Sequence, residues 1–588
     1  MKQKLFVRKK QTGQQTPRWN NENSTKTNKT NVQEAVQDIL KELLKKRGIT
    51  TKEEQETFLN PNYETDLHDP FLFHQMHIVV KRVMDAHKKN QKIMIFGDFD
   101  VDGVTGATIL KEGLENLGIS AQVYIPDKKT EGHGLNMYAI NQFKKEGFSL
   151  LITVDCGVTN HNEIEQANKD KIDTIVIDHH HIPPTLPPAH AVINAQMKES
   201  GYPFRGLCGA GTAFKVIQAL YHEMAPERIA ETKWLLDLAA TGTVADCVPL
   251  IGENRTIVRF GLIVLARTRR MGLRELYDIG GMKIDESNVP NTELISFQIA
   301  PRINAAGRMA HAQMAHDLLI EKNQEKAREI AEKIDQHNKD RRKISDKISQ
   351  AVLKIANKEF LDKKIVVAVS EDFPIGIVGL VAGRVASQTA KPTAVFTKKE
   401  KESQGSFRSV PGVSIIKALH ECEDLLVKFG GHEQAAGATI KNENFEKFVQ
   451  RLDKIITKMM GEKIVVPELK IDAQISLNLM NEVLAKGIES MAPFGEGNRE
   501  PILLIQNLIL AETRSVGTSQ THAKVMLAQK NMDKTTTLDG IGFSLAQKCE
   551  ELKGEIVDVV CTISENHWNG KVTTQAKIID IKKNGKHE

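Results

Sequence analysis

The 588-residue sequence has no C-x-x-C pair, and its six cysteines (Cys156, Cys208, Cys247, Cys422, Cys549 and Cys561) are scattered. That pattern argues against a zinc site built on cysteines and fits a reducing cytoplasm rather than a disulfide scaffold. No apolar run approaches the ~20 residues of a membrane span. The basic N-terminus has no apolar segment behind it, so no secretory signal is expected. The body of the chain also has almost no net charge. The net charge is +5, but residues 1–30 hold eight Lys or Arg and one Glu, which leaves residues 31–588 at −2. Any nucleic-acid surface is therefore expected as a local groove and not as a globally basic body. The tail over residues 1–30 is rich in Gln, Asn, Thr and Lys and is predicted to be disordered. It reads either as a source of non-specific phosphate affinity or as a solvated tail without a role.

What is present is enough chain for three or four domains, with 40% hydrophobic residues to build their cores. The most informative stretch is IMIFGDFDVDGVTG, Ile93 to Gly106. Ile93–Phe96 read as a short buried strand that Gly97 ends. Asp98, Asp100 and Asp102 follow at every second position. In an extended backbone such residues share a face, which predicts three carboxylates side by side at a strand exit. Like charges that close repel and force a pKa upward, and a divalent cation is the simplest way to keep them ionised. A solvated acidic turn is the plainer alternative. A calcium loop of the EF-hand kind is excluded, because its twelfth position must be Glu and here it is Ile109.

Around this stretch the pattern is α/β. Helices are predicted over parts of 31–60 and over 74–89, 105–117 and 161–169, with strands at 121–126, in SLLITVDCG and in DTIVIDHHH. These last two strands end in Asp155 and in Asp178, His179 and His180. An open α/β sheet binds ligands beyond the C-terminal ends of its strands, so these side chains are expected at one edge. Three consecutive histidines cannot all face one site, and Asp178 reads equally as a partner that orients a histidine. Four prolines in 183–188 predict a rigid loop, followed by a helix over 209–223. WLLDLAATGTVAD reads as a helix over 233–240 and a Thr/Gly turn ending at Asp246, a candidate fourth carboxylate.

In ISFQIAPRINAAGRM, Arg302, Asn304 and Arg308 sit among small residues. Forked guanidinium groups suit phosphate oxygens, while exposed arginines at a helix start are the simpler reading. Residues 312–358 predict one long helix or two end to end. A second α/β unit follows, with strands at 365–369, 392–396 and 405–410, the last carrying Ser406 and Arg408, and a helix over 376–388. FGGHEQAAGATI places Gly430, Gly431 and His432 before an expected small-residue helix, where His432 either binds phosphate or caps the helix. From about residue 466, five strands with short connections predict a small barrel of OB type. With aromatics at only 5% of the chain, base stacking there is limited to residues such as Phe494, Phe543 and Trp568.

Taken in order, GDFDVDGVTG, TVDCG, IDHHH and ATGTVAD resemble the signature motifs of the DHH phosphoesterase superfamily. With PRINAAGR, SFRS, GGHEQAAG and PFGEGN the likeness narrows to its RecJ family of single-stranded-DNA-specific exonucleases and runs from about residue 60 to the C-terminus. The resemblance implies an α/β fold: a parallel-sheet DHH domain, a connecting helix, a smaller α/β DHHA1 domain and a C-terminal OB-fold. The expected limits are a tail over 1–30, N-terminal helices and DHH domain over 31–311, helix over 312–360, DHHA1 over 361–462 and OB-fold over 463–588. It implies 5′→3′ release of 5′-mononucleotides with two Mg²⁺ or Mn²⁺ ions. Asp98, Asp100 and Asp155 would hold one ion, and Asp102, Asp155, His179 and Asp246 the other, with His180 against the scissile phosphate. Arg302, Asn304, Arg308, Ser406, Arg408 and His432 would meet DNA phosphates. A monomer acting in repair and recombination, with single-stranded DNA, a helicase and a single-strand-binding protein as partners and no membrane, is expected. One departure is SEDFPIGIVG, where Asp372 and Phe373 replace the family's usual Trp-His pair at a DNA contact. Two other functions remain in view. A small-substrate DHH enzyme would end before the barrel, and an inactive DNA-binding scaffold would have lost carboxylates.

Overall fold

A computed structural model of the chain describes residues 17–20, 25–26, 31–128, 130–360, 362–461, 468–531, 534–568 and 571–585. Its first sheet is entirely parallel. The strands are β1 (Ile93–Gly97), β2 (Gln122–Tyr124), β3 (Leu150–Val154), β4 (Asp173–Ile177) and β5 (Ala191–Ile193), in the order β2-β1-β3-β4-β5. Every residue of β1 and β3 is buried, as a sheet covered on both faces requires. Alternate residues serve alternate cores. Ile93 and Ile95 join the larger core, and Met94 and Phe96 the smaller one on the other face. Helices α1 (Val101–Asn116), α4 (Gly209–Met224) and α5 (Leu236–Ala245) supply the larger core. Helices α2 (Met137–Glu146) and α3 (His161–Lys169) supply the smaller one. From β1 the chain passes to a strand on one side and then to β3 on the other. This reversal opens a crevice beyond the C-terminal ends of β1 and β3.

After α6 (Ala300–Met309) and α7 (Gln313–Ile320) comes α8 (Gln324–Glu359), a 36-residue helix. The chain divides within α8 into two compact units. One holds residues 21–338 and 471–587, and the other 339–470 with the segment up to Asn20. In the second unit β6 (Val366–Ser370), α9 (Ile375–Thr389), β7 (Thr393–Lys398), β8 (Glu402–Arg408), β9 (Leu426–Gly431) and β10 (Ala435–Lys441) form a sheet of order β9-β10-β8-β7-β6. The first unit ends in β11 (Leu503–Val516), β12 (His522–Asn531), β13 (Lys534–Gly542), β14 (Ile556–Trp568) and β15 (Lys571–Lys583). Their order is β12-β13-β15-β14-β11, and β11 pairs with β12 to close the barrel. Closure removes the exposed edges. Among the described residues no helix is long and apolar enough to cross a membrane.

Several expectations are corrected. In the tail, Arg18–Asn20 pairs in parallel with Glu468–Lys470, and Thr25–Lys26 with Ala473–Gln474, so free edge strands order these short pieces. The remaining positions of 1–30, apart from Pro17, lie outside the described residues. The helices Val32–Lys46 and Lys52–Leu59 do not join the core of the sheet domain. Ile39, Leu43 and Phe58 pack into the barrel core with Leu484 and Leu503, because an amphipathic stripe states that it is buried but not against what. Arg255 fastens the two cores together, its guanidinium donating to the carbonyls of Phe58, Met491 and Ala492. FGGHEQAAGATI is the β9–β10 hairpin and not a helix start. Its small residues lie in sheet register, Gly437 opposite Ser406 and Gly430. Phe494 packs against the barrel core, Phe543 is exposed beside His522, and the side chain of Trp568 lies outside what is described.

One buried group gives this fold a pH signature. Thr108 on α1 donates its hydroxyl to the Val104 carbonyl (2.7 Å), so His316 on α7 donates from Nδ1 to Thr108 Oγ1 at 2.9 Å. Burial, and then the charge of Lys111, lower the pKa of His316 from 6.5 to about 4. The unfolded chain therefore accepts a proton that the folded chain resists. The stability is fully present above pH 6.5 and is lost as pH falls toward about 4, up to ~3 kcal/mol in all. Urea denaturation at pH 7.5 and pH 5 is expected to show a larger drop in midpoint for the parent protein than for His316→Gln; equal drops would refute this origin.

Candidate metal centre

The site begins with the way β1 hands over to α1. Asp98 follows the strand. Asp100 caps the helix, its Oδ1 accepting from the backbone N–H of Asp102 (2.9 Å) and Gly103 (3.2 Å). Asp102 therefore lies in the first helical turn, where N–H groups and the helix dipole favour an acid. The helix starts four residues earlier than expected, and the three aspartates are not one extended face. The turn is tight enough that a Cβ on Gly103 would stand 2.4 Å from the Asp98 carbonyl oxygen, which only glycine avoids. Asp102 is also held from outside. Its Oδ2 accepts from Gly209 N–H at 2.6 Å and its Oδ1 from Ala210 N–H at 2.8 Å, at the start of α4.

Asp155 follows β3 with φ of 61°, a left-handed conformation that costs a non-glycine residue of order 1 kcal/mol and concentrates at functional sites. At the end of β4, Asp178 accepts from the N–H groups of Val158 (3.0 Å), His179 (2.7 Å) and His180 (3.1 Å) and pairs with His180 Nδ1 at 2.8 Å. It orients His180, which resolves its two readings. His179 Nε2 lies 3.1 Å from Asp155 Oδ1, 3.6 Å from Asp246 Oδ2 and 3.7 Å from Asp102 Oδ2. Asp246 arrives because LAATGTVA is helical throughout and places it at the C-terminal cap of α5, not after a Thr/Gly turn.

Among the described residues, ligand atoms within 4.8 Å of one another fall into three groups: Asp98, Asp100 and Asp155; Asp102, His179 and Asp246; and Asp155, His179 and His180. Burial, followed by repulsion from Asp102, Asp100 and Asp98, raises the Asp155 carboxyl well above the usual range. Burial likewise raises Asp98 and Asp102, and with Asp102 and Asp100 it pushes Asp246 up to about 8. Burial lowers His179, whereas the hydrogen bond that His180 donates to Asp178 lifts His180 to about 9. Asp98 Oδ1 is buried with no hydrogen-bond partner among the described residues. Crowded carboxylates, a neutral imidazole and an unpartnered buried oxygen form a donor set that divalent cations satisfy. Mostly oxygen ligands suit Mg²⁺ or Mn²⁺.

Phosphate-binding expectations divide by place. Asn304 and Arg308 lie one turn apart on α6. Gly307, between them, approaches the Asp-rich turn: a Cβ there would be 3.0 Å from the Phe99 carbonyl oxygen. Arg302 is buried instead. Its Nε meets Asp335 Oδ1 at 2.8 Å, and Nη1 donates to the Gln298 carbonyl at 2.8 Å. It ties α6 to α8, a role that a one-dimensional arginine pattern does not reveal. In the second unit, Ser406 and Arg408 share a face of β8 against Gly379 of α9, where a Cβ would be 3.4 Å from both side chains. His432 sits in the β9–β10 turn, its N–H donating to the Ala435 carbonyl at 2.7 Å. Phe373 is buried and Asp372 exposed, so neither position offers an exposed aromatic. His133 escapes the sequence reading. Its Nδ1 is 3.0 Å from Asp98 Oδ2, and the only written signal is a histidine between two glycines.

Three comparisons bear on this site. Family models match residues 92–243 (DHH family, N-terminal domain), 362–458 (DHHA1 domain) and 471–580 (RecJ OB domain). The single-stranded-DNA-specific exonuclease RecJ of Bacillus subtilis (strain 168) is 35% identical over 548 residues, covering 93% of this chain and 68% of that protein. The protein of the same name from Haemophilus influenzae is 32% identical over 483 residues, covering 79% and 83%. The crystal structure of RecJ in complex with Mn²⁺ from Thermus thermophilus superposes with a TM-score of 0.77 at 26% identity, covering 96% of this chain and 79% of that one.

Two measurements test the placement. Mn²⁺ is expected to raise the melting temperature of the chelator-treated protein, and Asp155→Ala to remove most of that increment; an undiminished increment would place the ion elsewhere. Arg302→Ala, which breaks the buried ion pair with Asp335, is expected to lower the denaturation midpoint. Arg308→Ala is expected to weaken binding of single-stranded DNA.

Proposed function

The chain belongs to the RecJ family of DHH phosphoesterases, and from that premise we propose that it is a single-stranded-DNA-specific exonuclease. It hydrolyses the 5′-terminal phosphodiester and releases 5′-mononucleotides. The observation that carries this reading is that Asp155 groups both with Asp98 and Asp100 and with His179, which itself groups with Asp102 and Asp246. Asp98, Asp100 and Asp155 would hold one divalent cation, and Asp102, Asp155, His179 and Asp246 the other. A bound pair of such ions supplies a more acidic water and positive charge against the oxygens of an in-line displacement.

The chain's own groups do the positioning. His180 has Nδ1 committed to Asp178 and a pKa raised to about 9 by that bond. That bond favours the protonated ring, which offers Nε2–H to a phosphoryl oxygen. The backbone N–H groups of Gly209 and Ala210 keep Asp102 in place through the reaction. Asn304 and Arg308, beside the Asp-rich turn, bind backbone phosphates. Ser406, Arg408 and His432 take phosphates from the second unit, including the 5′ end. No covalent nucleophile is needed.

The alternatives have less support. A small-substrate DHH enzyme has no use for the barrel that matches the RecJ OB domain. An inactive scaffold would not retain every carboxylate of the cluster. A monomer in the cytoplasm, working in repair and recombination with a helicase and a single-strand-binding protein, completes the proposal.

The test uses 5′-phosphorylated single-stranded DNA labelled at its 3′ end, with Mn²⁺ and a blunt duplex control. Progressive shortening of the labelled strand, with the duplex untouched, is expected. Immediate release of the label as a mononucleotide would reverse the polarity. Asp155→Ala should lower the rate by more than ~100-fold, beyond the loss typical of an outer-shell partner, and substantial residual cleavage would rule out the shared role.

A further inference from the structure

We infer that His133 is a positioning residue, which holds Asp98 in the orientation that presents its second oxygen to the first cation. The inference rests on reading the cluster as a cation centre. Asp98 has two carboxylate oxygens in different circumstances. Oδ2 is 3.0 Å from His133 Nδ1, while Oδ1 is buried and has no partner among the described residues. An N–H on Nδ1 fixes the rotation of the carboxylate about its Cβ–Cγ bond. It leaves the other oxygen unengaged on a residue that forms one ligand group with Asp100 and Asp155. Ligating carboxylates are commonly anchored by such an outer hydrogen bond.

The loop between β2 and α2 is built to deliver this ring. Gly132 and Gly134 flank His133 with φ of 87° and 77°, left-handed conformations that glycine adopts without penalty. Before the histidine, the Glu131 carboxylate accepts from Tyr124 Oη (2.8 Å), Asp127 N–H (2.9 Å) and Asn136 Nδ2 (3.1 Å). After it, Asn160 grips Leu135 from both sides, accepting from its N–H at 3.3 Å and donating to its carbonyl at 2.8 Å. The ring itself stands edge-on to Phe99 (5.9 Å between centroids) and to His180 (6.0 Å). A solvated surface histidine would need none of these constraints. Its side chain remains 59% exposed, so it does not hold the core together.

The experiment is calorimetric titration of Mn²⁺ into the full chain and two variants. His133→Phe keeps a ring between Phe99 and His180 but removes the donor. His133→Asn keeps an N–H near the Nδ1 position. Loss of the outer bond is expected to weaken the tighter Mn²⁺ site by ~10–100-fold in the Phe variant and to leave the Asn variant within about threefold of the parent. In cleavage assays the half-maximal Mn²⁺ concentration of the Phe variant should shift by the same factor, with the rate recovering at saturating metal. Parent-like Mn²⁺ affinity in the Phe variant overturns the inference. So does a rate that stays low at saturating Mn²⁺ with binding unchanged, which would mark a group acting on the DNA. A parent chain that binds no Mn²⁺ overturns the reading of the centre itself, and the inference with it.

Discussion

Repulsion among buried carboxylates is the constraint on which this fold depends. Asp98, Asp102 and Asp155 are each almost wholly buried, and their pKa values rise first because burial removes water; Asp100 adds repulsion at Asp98 and Asp102, and Asp102, Asp100 and Asp98 add it at Asp155. A chain can tolerate such a cluster only where backbone donors already point inward. The reversal of strand order between β1 and β3 creates that place. There the sheet ends, two helices begin, and their free N–H groups converge. The start of α1 serves Asp100, and the start of α4 serves Asp102. The local sequence agrees with this at each step. Aspartate stands at the cap, and glycine stands wherever the backbone of one element meets that of another.

The same constraint explains why the surrounding shell is stiff. A misplacement of a few tenths of an ångström alters like-charge repulsion in a low dielectric far more than it would in water. The elements that carry ligands are accordingly tied to one another by groups that have no chemical role. Arg270 pairs with Asp237 of α5 at 2.9 Å and also with Glu112 of α1. Lys215 of α4 lies fully buried against Glu253 at 3.1 Å, which in turn accepts from Tyr202 Oη at 2.6 Å. Buried pairs of this kind are poor sources of net stability, yet losing one partner is costly. They fix the helices that end at Asp246 and begin at Gly209.

Much of this is legible in the sequence, and the failures have physical causes. Strands ending in Asp98, Asp155 and His179 can be read because buried parallel strands are continuous apolar runs. The six candidate ligands are named through the motif resemblance, since strand ends alone do not point to Asp246, which caps a helix. Asp102 is misassigned to an extended face, since period-two spacing looks the same whether a strand continues or a capped helix begins. The hairpin around His432 passes for a helix start, because Gly and Ala have little β propensity and are placed there by cross-strand contact with Ser406 and Gly405. The helices 32–59 display their apolar stripe but not its target. Arg302 and Arg308 are alike in sequence, and the burial of Arg302 against Asp335 cannot be read from that pattern. His133 shows only its flanking glycines in the sequence, because its contact with Asp98 is a hydrogen bond across 35 residues.

The division between ligand and support can itself be derived from hydrogen-bond counts. Asp178 and Asp155 are both buried aspartates at the C-terminal ends of adjacent strands. Asp178 receives three backbone N–H groups and an imidazole, and its pKa is lowered despite burial. Asp155 has His179 as its nearest partner and several carboxylates around it, and its pKa is raised. A carboxylate already satisfied by donors has no lone pairs to spare and gains little from a cation, whereas one left short of donors gains a great deal. On that measure Asp178 is excluded from the ligand set and Asp155 stands at its centre. Asp98, with one oxygen anchored and the other bare, is poised between the two conditions.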